Sequence, residues 1–427
     1  MNKKILFVVF ILLIMFRLFY SLQQNLIDNE NEKNLYLVGL KFYTTGEWPY
    51  YGEIIESTKS QISGALLGLL VGLPLYILPH PYSPIIFLVL WMTLALSFFA
   101  WYISKKKFNI KPIFIWVWTL TIPYTMVYGI KLHIWSYALP YSIFFFITLI
   151  ELLPLKTKPI LSVSWCLTIM GFSLLSLTQL HLSWVLLIPL VIIAFYFVNK
   201  KKIKKLKFLF FLLGSLIGGS TLVPTFIMKS GILTEIGENL IINWSNADKL
   251  IDVVINIFYL PSYEVITNSS LLGNFSLKIA LAMEHEWVFP AVIIVTLFGW
   301  TQVFLYFICL IFPTGFHRHS WDRIRFLLVG MVLLVWLGYF LNEDVEVHKI
   351  HLLFLPLAFY FSIYVNEWIL TTRPWSKYVF YVAFFSLLVF YVADGIKEKS
   401  KITNNPYQKK IILAIQNKDY KLLKNSN

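Results

Sequence analysis

The chain has 427 residues, of which 58% are hydrophobic, 18% aromatic and 14% charged, with a formal net charge of +14. A soluble domain of this length carries about a quarter charged residues, so water is not its main solvent. The lysines and arginines stand in short clusters between apolar runs, as topology signals do, and not in the long basic stretches of a nucleic-acid binder. The two cysteines, Cys166 and Cys309, each lie inside an apolar run, which excludes a disulfide framework and a zinc site of the usual Cys/His spacing.

Apolar runs of about 18 to 22 residues recur along the chain, the length that crosses the hydrocarbon of a bilayer as a helix. Backbone in lipid must be satisfied internally, so the runs are read as helices. No flexible linker and no internal repeat divides them, giving one polytopic domain over 1–394 and a Lys-rich tail over 395–427. Met1-Asn2-Lys3-Lys4 precedes an apolar run to Leu22 with no small-x-small cleavage site, which predicts an uncleaved first helix near 5–22. With Lys3 and Lys4 in the cytoplasm, that helix exits to the outer side.

The next apolar run, 62–79, decides the topology. If it spans, every later basic cluster lies outside; if it is interfacial or re-entrant, every cluster lies inside. Pro74, Pro79 and the preceding polar loop favour the second form. Further helices follow near 84–103, 112–130, 138–154, 159–177, 182–198, 208–228, 288–311, 326–341, 351–369 and 378–394. The clusters at 105–111, 156–158 and 200–207, with Arg318, Arg323, Arg325, Arg373 and Lys377, then satisfy the positive-inside rule. The expected fold is an all-α integral membrane protein of about eleven transmembrane helices, with an interfacial or re-entrant helix in the first outer loop. Most acidic residues, the outer loops at about 23–83 and 229–287, and the tail then face outward, and the cytoplasmic loops are too short to build a site.

Within the first loop, Asp28, Glu30 and Glu32 crowd together directly after the first helix. Such a trio is either a solvated acidic loop or a set of carboxylates whose mutual repulsion and local dielectric raise one pKa into the range of a general base. Gly46-Glu47-Trp48-Pro49 forms a turn with an interfacial Trp48. Gly64, Gly68 and Gly72 make a small-residue stripe suited to close helix packing.

Three polar constellations occupy outer helix ends: His133-Ile134-Trp135-Ser136; Gln179-Leu180-His181; and Glu343-Asp344-Val345-Glu346-Val347-His348-Lys349-Ile350-His351. Isolated, an interfacial His or Trp is an anchor. Converging on one face, His348, Lys349 and His351 offer cationic donors to a phosphate at membrane depth, or a knot with their own acids. Glu284-His285-Glu286 has side chains of a type that binds divalent ions, without a second cluster at ligand spacing.

The order of these features resembles membrane glycosyltransferases of the GT-C fold, in the branch of bacterial relatives of protein O-mannosyltransferases and the lipid A aminoarabinose transferase. The likeness runs over about residues 1–360. It rests on the short first helix, the acidic loop Asp28 to Tyr36, Gly46-Glu47-Trp48-Pro49, the Ser63-Gly64 entry into an apolar run, the Gln179-x-His181 turn and the entry from His348 to Pro356. Ser136 and Tyr137 stand where that branch has Asn-Pro. The first-loop acids do not follow its usual Asp-Glu or Asp-Gln pair, so the resemblance implies a role for the trio and not for one member.

It implies transfer of a sugar from a polyprenyl-phosphate donor to an acceptor hydroxyl or amine on a glycan, lipid or protein. The transfer would invert the anomeric carbon, with Asp28, Glu30 or Glu32 as base. Lys349, His348 and His351, with Arg17, would bind the donor phosphate, and His133, Trp135, Gln179, His181 and Trp48 would line the substrate pocket. Phosphate is a good leaving group, so no cofactor or metal is required. The expected setting is a bacterial inner membrane, with the site facing the periplasm or exterior, membrane lipids around it and no nucleic-acid partner. The rival readings are a transporter, which places charges at mid-membrane, and an O-antigen-type polymerase or ligase. Arg17 is the visible charge inside a helix, and the 229–287 loop carries no Arg.

Overall fold

The computed structural model describes residues 3–54, 61–106, 108–153, 159–200, 207–229, 244–264, 271–312, 319–340, 352–373, 375–402 and 406–424. Its architecture is all-α, with one two-stranded antiparallel ribbon pairing Tyr51–Ile54 with Gln61–Ser63. Among the described residues, six helical segments are long and apolar enough to cross a membrane: Ser83–Lys105, Ile134–Leu152, Leu182–Asn199, Phe208–Met228, Glu286–Ile311 and Ser376–Lys399. The chain is therefore read as an integral membrane protein. Other apolar helices fall short of that length, among them Leu66–Ile77 and Val163–Thr178.

In chain order, α1 is Lys3–Leu22, α2 Glu30–Thr45, α3 Leu66–Ile77, α4 Ser83–Lys105, α5 Pro112–Thr121, α6 Pro123–Val127 and α7 Ile134–Leu152. The run read as one helix over 112–130 breaks between α5 and α6. Pro123 has no N–H to donate and excludes Ile122 from the helical region, and Ile122 accordingly sits at ψ 122°. The opened helix end is filled by Arg17, whose guanidinium donates to the Leu120 carbonyl at 2.8 Å and the Thr125 carbonyl at 2.9 Å.

After α7 come α8 (Val163–Thr178), α9 (Ile188–Lys200), α10 (Phe208–Gly219) and α11 (Val223–Lys229). α8 and α10 cross at backbone contact: a methyl at Gly214 would overlap the Thr168 carbonyl, and one at Gly218 the Phe172 carbonyl. Small residues permit this approach, and dispersion between the backbones replaces side-chain packing. α2 and α3 use the same device at Gly72 against Gly39, while Gly68 packs on the Pro49 ring in the loop after α2. Gly64 differs from its two stripe partners, because it takes a φ of 126° that side-chain-bearing residues rarely adopt.

The remaining helices are α12 (Leu250–Tyr259), α13 (Leu271–Glu284), α14 (Phe289–Ile311), α15 (His319–Phe340), α16 (Leu355–Thr372), α17 (Ser376–Ile402), α18 (Pro406–Gln416) and α19 (Lys421–Lys424). α12 and α13, within the segment expected as part of an outer loop, pack against α14. The entrance to that segment is fixed by Trp336, near the end of α15, which donates to the Ala247 carbonyl at 3.3 Å. Phe258 then packs on Phe307 and Phe361, and Tyr263 among Trp118, Phe298 and Phe380. α13 is tied at its far end by Glu284, 3.0 Å from Lys397 of α17.

The helix ends sort into two levels. At one, Tyr20 donates to Asp394 at 2.6 Å, joining the end of α1 to α17, and the acidic first loop lies beside them. At the other, Lys106 pairs with Glu151 at 2.5 Å and Tyr102 donates to Glu151 at 2.8 Å, joining the ends of α4 and α7.

Candidate functional site

The site grows from the start of α2. Asn29 takes extended backbone angles and its side chain accepts the Glu32 N–H at 2.9 Å, which caps the helix. Glu30 and Glu32 in the first turn suit the positive end of the helix dipole. In a reciprocal capping box the Glu32 side chain would reach back to Asn29. Here it reaches one residue further and accepts the Asp28 N–H at 2.6 Å. Asp28 is thereby held outside the helix with its side chain turned to the α6–α7 junction.

At that junction Lys131 lies 2.9 Å from the Asp28 carboxylate. His133, the N-cap of α7, brings Nε2 within 3.2 Å of Glu32 Oε1. Two acids, one ammonium and one imidazole therefore meet at a single helix junction. Asp28 and Lys131 keep 29% and 28% of their side chains exposed, whereas Glu32 keeps 2%. Burial pushes the Glu32 carboxyl up to about 7; the Asp28 N–H and Lys131 oppose the shift and the Asp28 charge adds to it. Burial pulls the Lys131 ammonium down, but Asp28, Glu32 and Glu398 outweigh it and hold the group above its ordinary value.

Glu30 faces away. It pairs with Lys33 at 3.1 Å and accepts the Tyr407 hydroxyl at 2.8 Å, and these partners hold its carboxyl below the usual value, Tyr407 first. The trio is thus divided between the α6–α7 junction and the C-terminal helix α18.

Two sequence constellations do converge. The Trp135 ring lies 3.7 Å from the His181 ring, centre to centre, and His181 Nδ1 accepts the Ser183 N–H at 3.0 Å, capping the helical turn that follows. Trp135 follows His133, the N-cap of α7, by two residues.

The other expected residues are placed elsewhere. Gln179 is fully buried, donating to the Gly218 carbonyl at 2.8 Å and accepting the Thr221 hydroxyl at 2.6 Å, so it ties α8 to the end of α10. Trp48 is half-buried beside Pro49, which packs on Gly68; its indole N–H meets no partner among the described residues. Arg17 is 1% exposed, with both terminal nitrogens engaged at the broken helix. His348, Lys349 and His351 lie outside the described residues. No three or more His, Cys, Asp or Glu residues are grouped to hold a metal ion among the described residues. Glu284 is taken by Lys397, and His285 lies against Trp287.

Lys131 was not singled out by the sequence patterns. Its signal is being the basic residue in the turn ahead of His133, but its partner Asp28 lies 103 residues away in the chain and no local spacing links them.

A partly exposed carboxylate held by a buried one can accept a proton from a polar ligand, and the cation beside it can bind the ligand's anionic part. No family model, curated protein or solved structure matches the chain.

Proposed function

We propose that this chain is a membrane glycosyltransferase that moves a sugar from a polyprenyl-phosphate donor to an acceptor hydroxyl or amine, with inversion. The observation that carries the reading is the Asp28–Lys131 pair, held by Glu32 at a junction of apolar helices. Of the two acids at this junction, Asp28 is the one exposed enough to touch an acceptor, and it serves as the base. Its carboxylate takes the acceptor's proton while the acceptor oxygen or nitrogen attacks the anomeric carbon. The bond to the donor phosphate breaks and the phosphate leaves with the electron pair. Glu32 is a positioning residue that acts through the Asp28 N–H and His133. Lys131 supplies positive charge beside the base, and the Trp135–His181 pair offers an aromatic edge to the sugar. The reading places this end of the bundle on the outer face of a bacterial inner membrane, with about eleven helices crossing.

The test is transfer of radiolabelled sugar from a panel of polyprenyl-phosphate sugars, using membranes that contain the wild type or Asp28→Asn. Donor-dependent transfer lost in the variant supports the reading. No transfer from any donor with intact protein overturns it.

One observation favours the second reading, a transporter. Glu264 and Lys278, 5% and 3% exposed, pair inside the bundle, and charges at such depth commonly mark a translocation path. Uptake of free sugars into proteoliposomes, abolished when Glu264→Gln and Lys278→Met are joined so that no buried charge is stranded, would support that alternative.

A further inference from the structure

The C-terminal helices α18 and α19 divide their residues sharply. Ile411, Ala414, Ile415 and Leu423 are buried at 5% exposure or less. The opposite surface shows Ile412, Leu413 and Leu422, exposed by 38%, 49% and 38%. Lys409, Lys418, Lys421 and Lys424 are exposed with them, and Asp419 is the single acid between 406 and 424. Within α18, Lys409, Ile412, Leu413 and Gln416 follow the spacing of one helix face.

The position of this face is also fixed. The Tyr407 hydroxyl donates to Glu30 at 2.8 Å, and the Gln408 amide donates to the Tyr82 hydroxyl at 3.4 Å. The Lys33 ammonium lies over the Tyr407 ring at 5.6 Å. Tyr82 immediately precedes α4, and α17 ends just before α18; both α4 and α17 contain segments able to cross a membrane. The exposed stripe therefore begins at the level where two such helices end, which is the level of lipid headgroups.

We propose that α18 and α19 form a docking surface for the anionic phospholipid headgroups of the bilayer that holds the bundle. Aliphatic side chains enter the boundary of the acyl chains while lysines flank them at phosphate depth, the arrangement by which an amphipathic helix lies in an interface. The charge complements an anionic leaflet, and the affinity weakens with salt. The inference does not depend on the reaction assigned to the Asp28 site.

The test uses the full chain with Cys166→Ala and Cys309→Ala, reconstituted in vesicles of phosphatidylcholine alone or with phosphatidylglycerol. An environment-sensitive fluorophore is placed at Leu413→Cys and, in a separate sample, at Asn417→Cys. With phosphatidylglycerol present, emission from position 413 should shift to the blue and be quenched by nitroxide-bearing lipid. The effect should fade with added salt. Each of Lys409→Gln, Lys418→Gln, Lys421→Gln and Lys424→Gln should lower the docked-to-free ratio by about fivefold. Equal signals in neutral and anionic vesicles, or a label that stays in water at both positions, would overturn the proposal.

Discussion

Glu32 divides its carboxylate between two segments: one oxygen accepts the Asp28 N–H at 2.6 Å, and the other lies 3.2 Å from His133 Nε2. The group is nearly buried, and burial raises its carboxyl to about 7. Below the unfolded value near 4.5, both folded and unfolded states hold the proton. Between 4.5 and about 7 the unfolded state releases it first, so stability falls as pH rises through this window. The shift from 4.5 to about 7 corresponds to about 3 kcal/mol once both states are ionised. Replacing Glu32 with Gln should flatten the dependence of the unfolding midpoint on pH across that window. A slope equal to that of the wild type would show that Glu32 is not the group that titrates.

The same residue predicts a rate profile. Ionised Glu32 holds Asp28 as an acceptor and stands beside His133; protonated Glu32 loses the charge on both contacts. Transfer should therefore rise with pH to a plateau above about 7. Glu32→Gln should lower the plateau and remove the limb, whereas a merely structural role would lower the rate without changing the profile.

Asp28 and Lys131 make an ion pair that is about a quarter exposed on each side, so its contribution to stability is small, about 1 kcal/mol or less. Asp28→Asn should leave the melting temperature nearly unchanged while reducing transfer by about 100-fold or more, the usual scale for losing a general base. Lys131→Met should weaken donor binding with an equally small change in stability. A large fall in melting temperature for either variant would mean that the pair is structural.

The sequence patterns and the structure agree where a single property suffices. Hydropathy alone locates α4, α7, α14 and α17, because lipid demands long uninterrupted apolar helices. α3, with twelve residues and Pro74, is too short to stand among the six segments of membrane length. The same criteria miss α12 and α13. Each is shorter than a span, and Glu264 and Lys278 make the segment look like a solvated loop until they neutralise one another inside the bundle. Within the site, the capping of α2 by Asn29 is local and legible. The meeting of Asp28 with Lys131, and of Trp135 with His181, depends on tertiary packing that no spacing encodes. Glu30 parts from the other two acids for the same reason, because its partner Tyr407 comes from the far end of the chain.

The Glu264–Lys278 pair predicts a sharp contrast between variants. Glu264 Oε1 meets Lys278 Nζ, while Glu264 Oε2 and the Gln302 amide nitrogen have no partner among the described residues. The backbone at Glu264 lies so close to Gly299 that a methyl there would overlap it. Glu264→Gln strands the buried ammonium and should cost about 3–5 kcal/mol. Joining Glu264→Gln with Lys278→Met removes both charges and should recover most of that loss. Thermal unfolding of the two single variants and the double variant in one detergent gives the coupling directly, and additive losses would mean that the charges do not depend on each other.

The crossing of α8 and α10 should tolerate no side chain at its centre. A methyl at Gly214 meets the Thr168 carbonyl, and the nearest atoms are backbone, which cannot rotate away as a flexible side chain would. At Gly330 a methyl meets nothing within 4 Å. Gly214→Ala should therefore force the helices apart and lose the dispersion contacts along the whole pair, whereas Gly330→Ala should be neutral or slightly stabilising through helix propensity. The effect should reach the site region as well, since Gln179 bonds the Gly218 carbonyl and shares the turn with His181. Protease accessibility near His181, measured for both alanine variants in native membranes, should rise for Gly214→Ala alone; equal behaviour would mean that the two helices are held by contacts other than this close crossing.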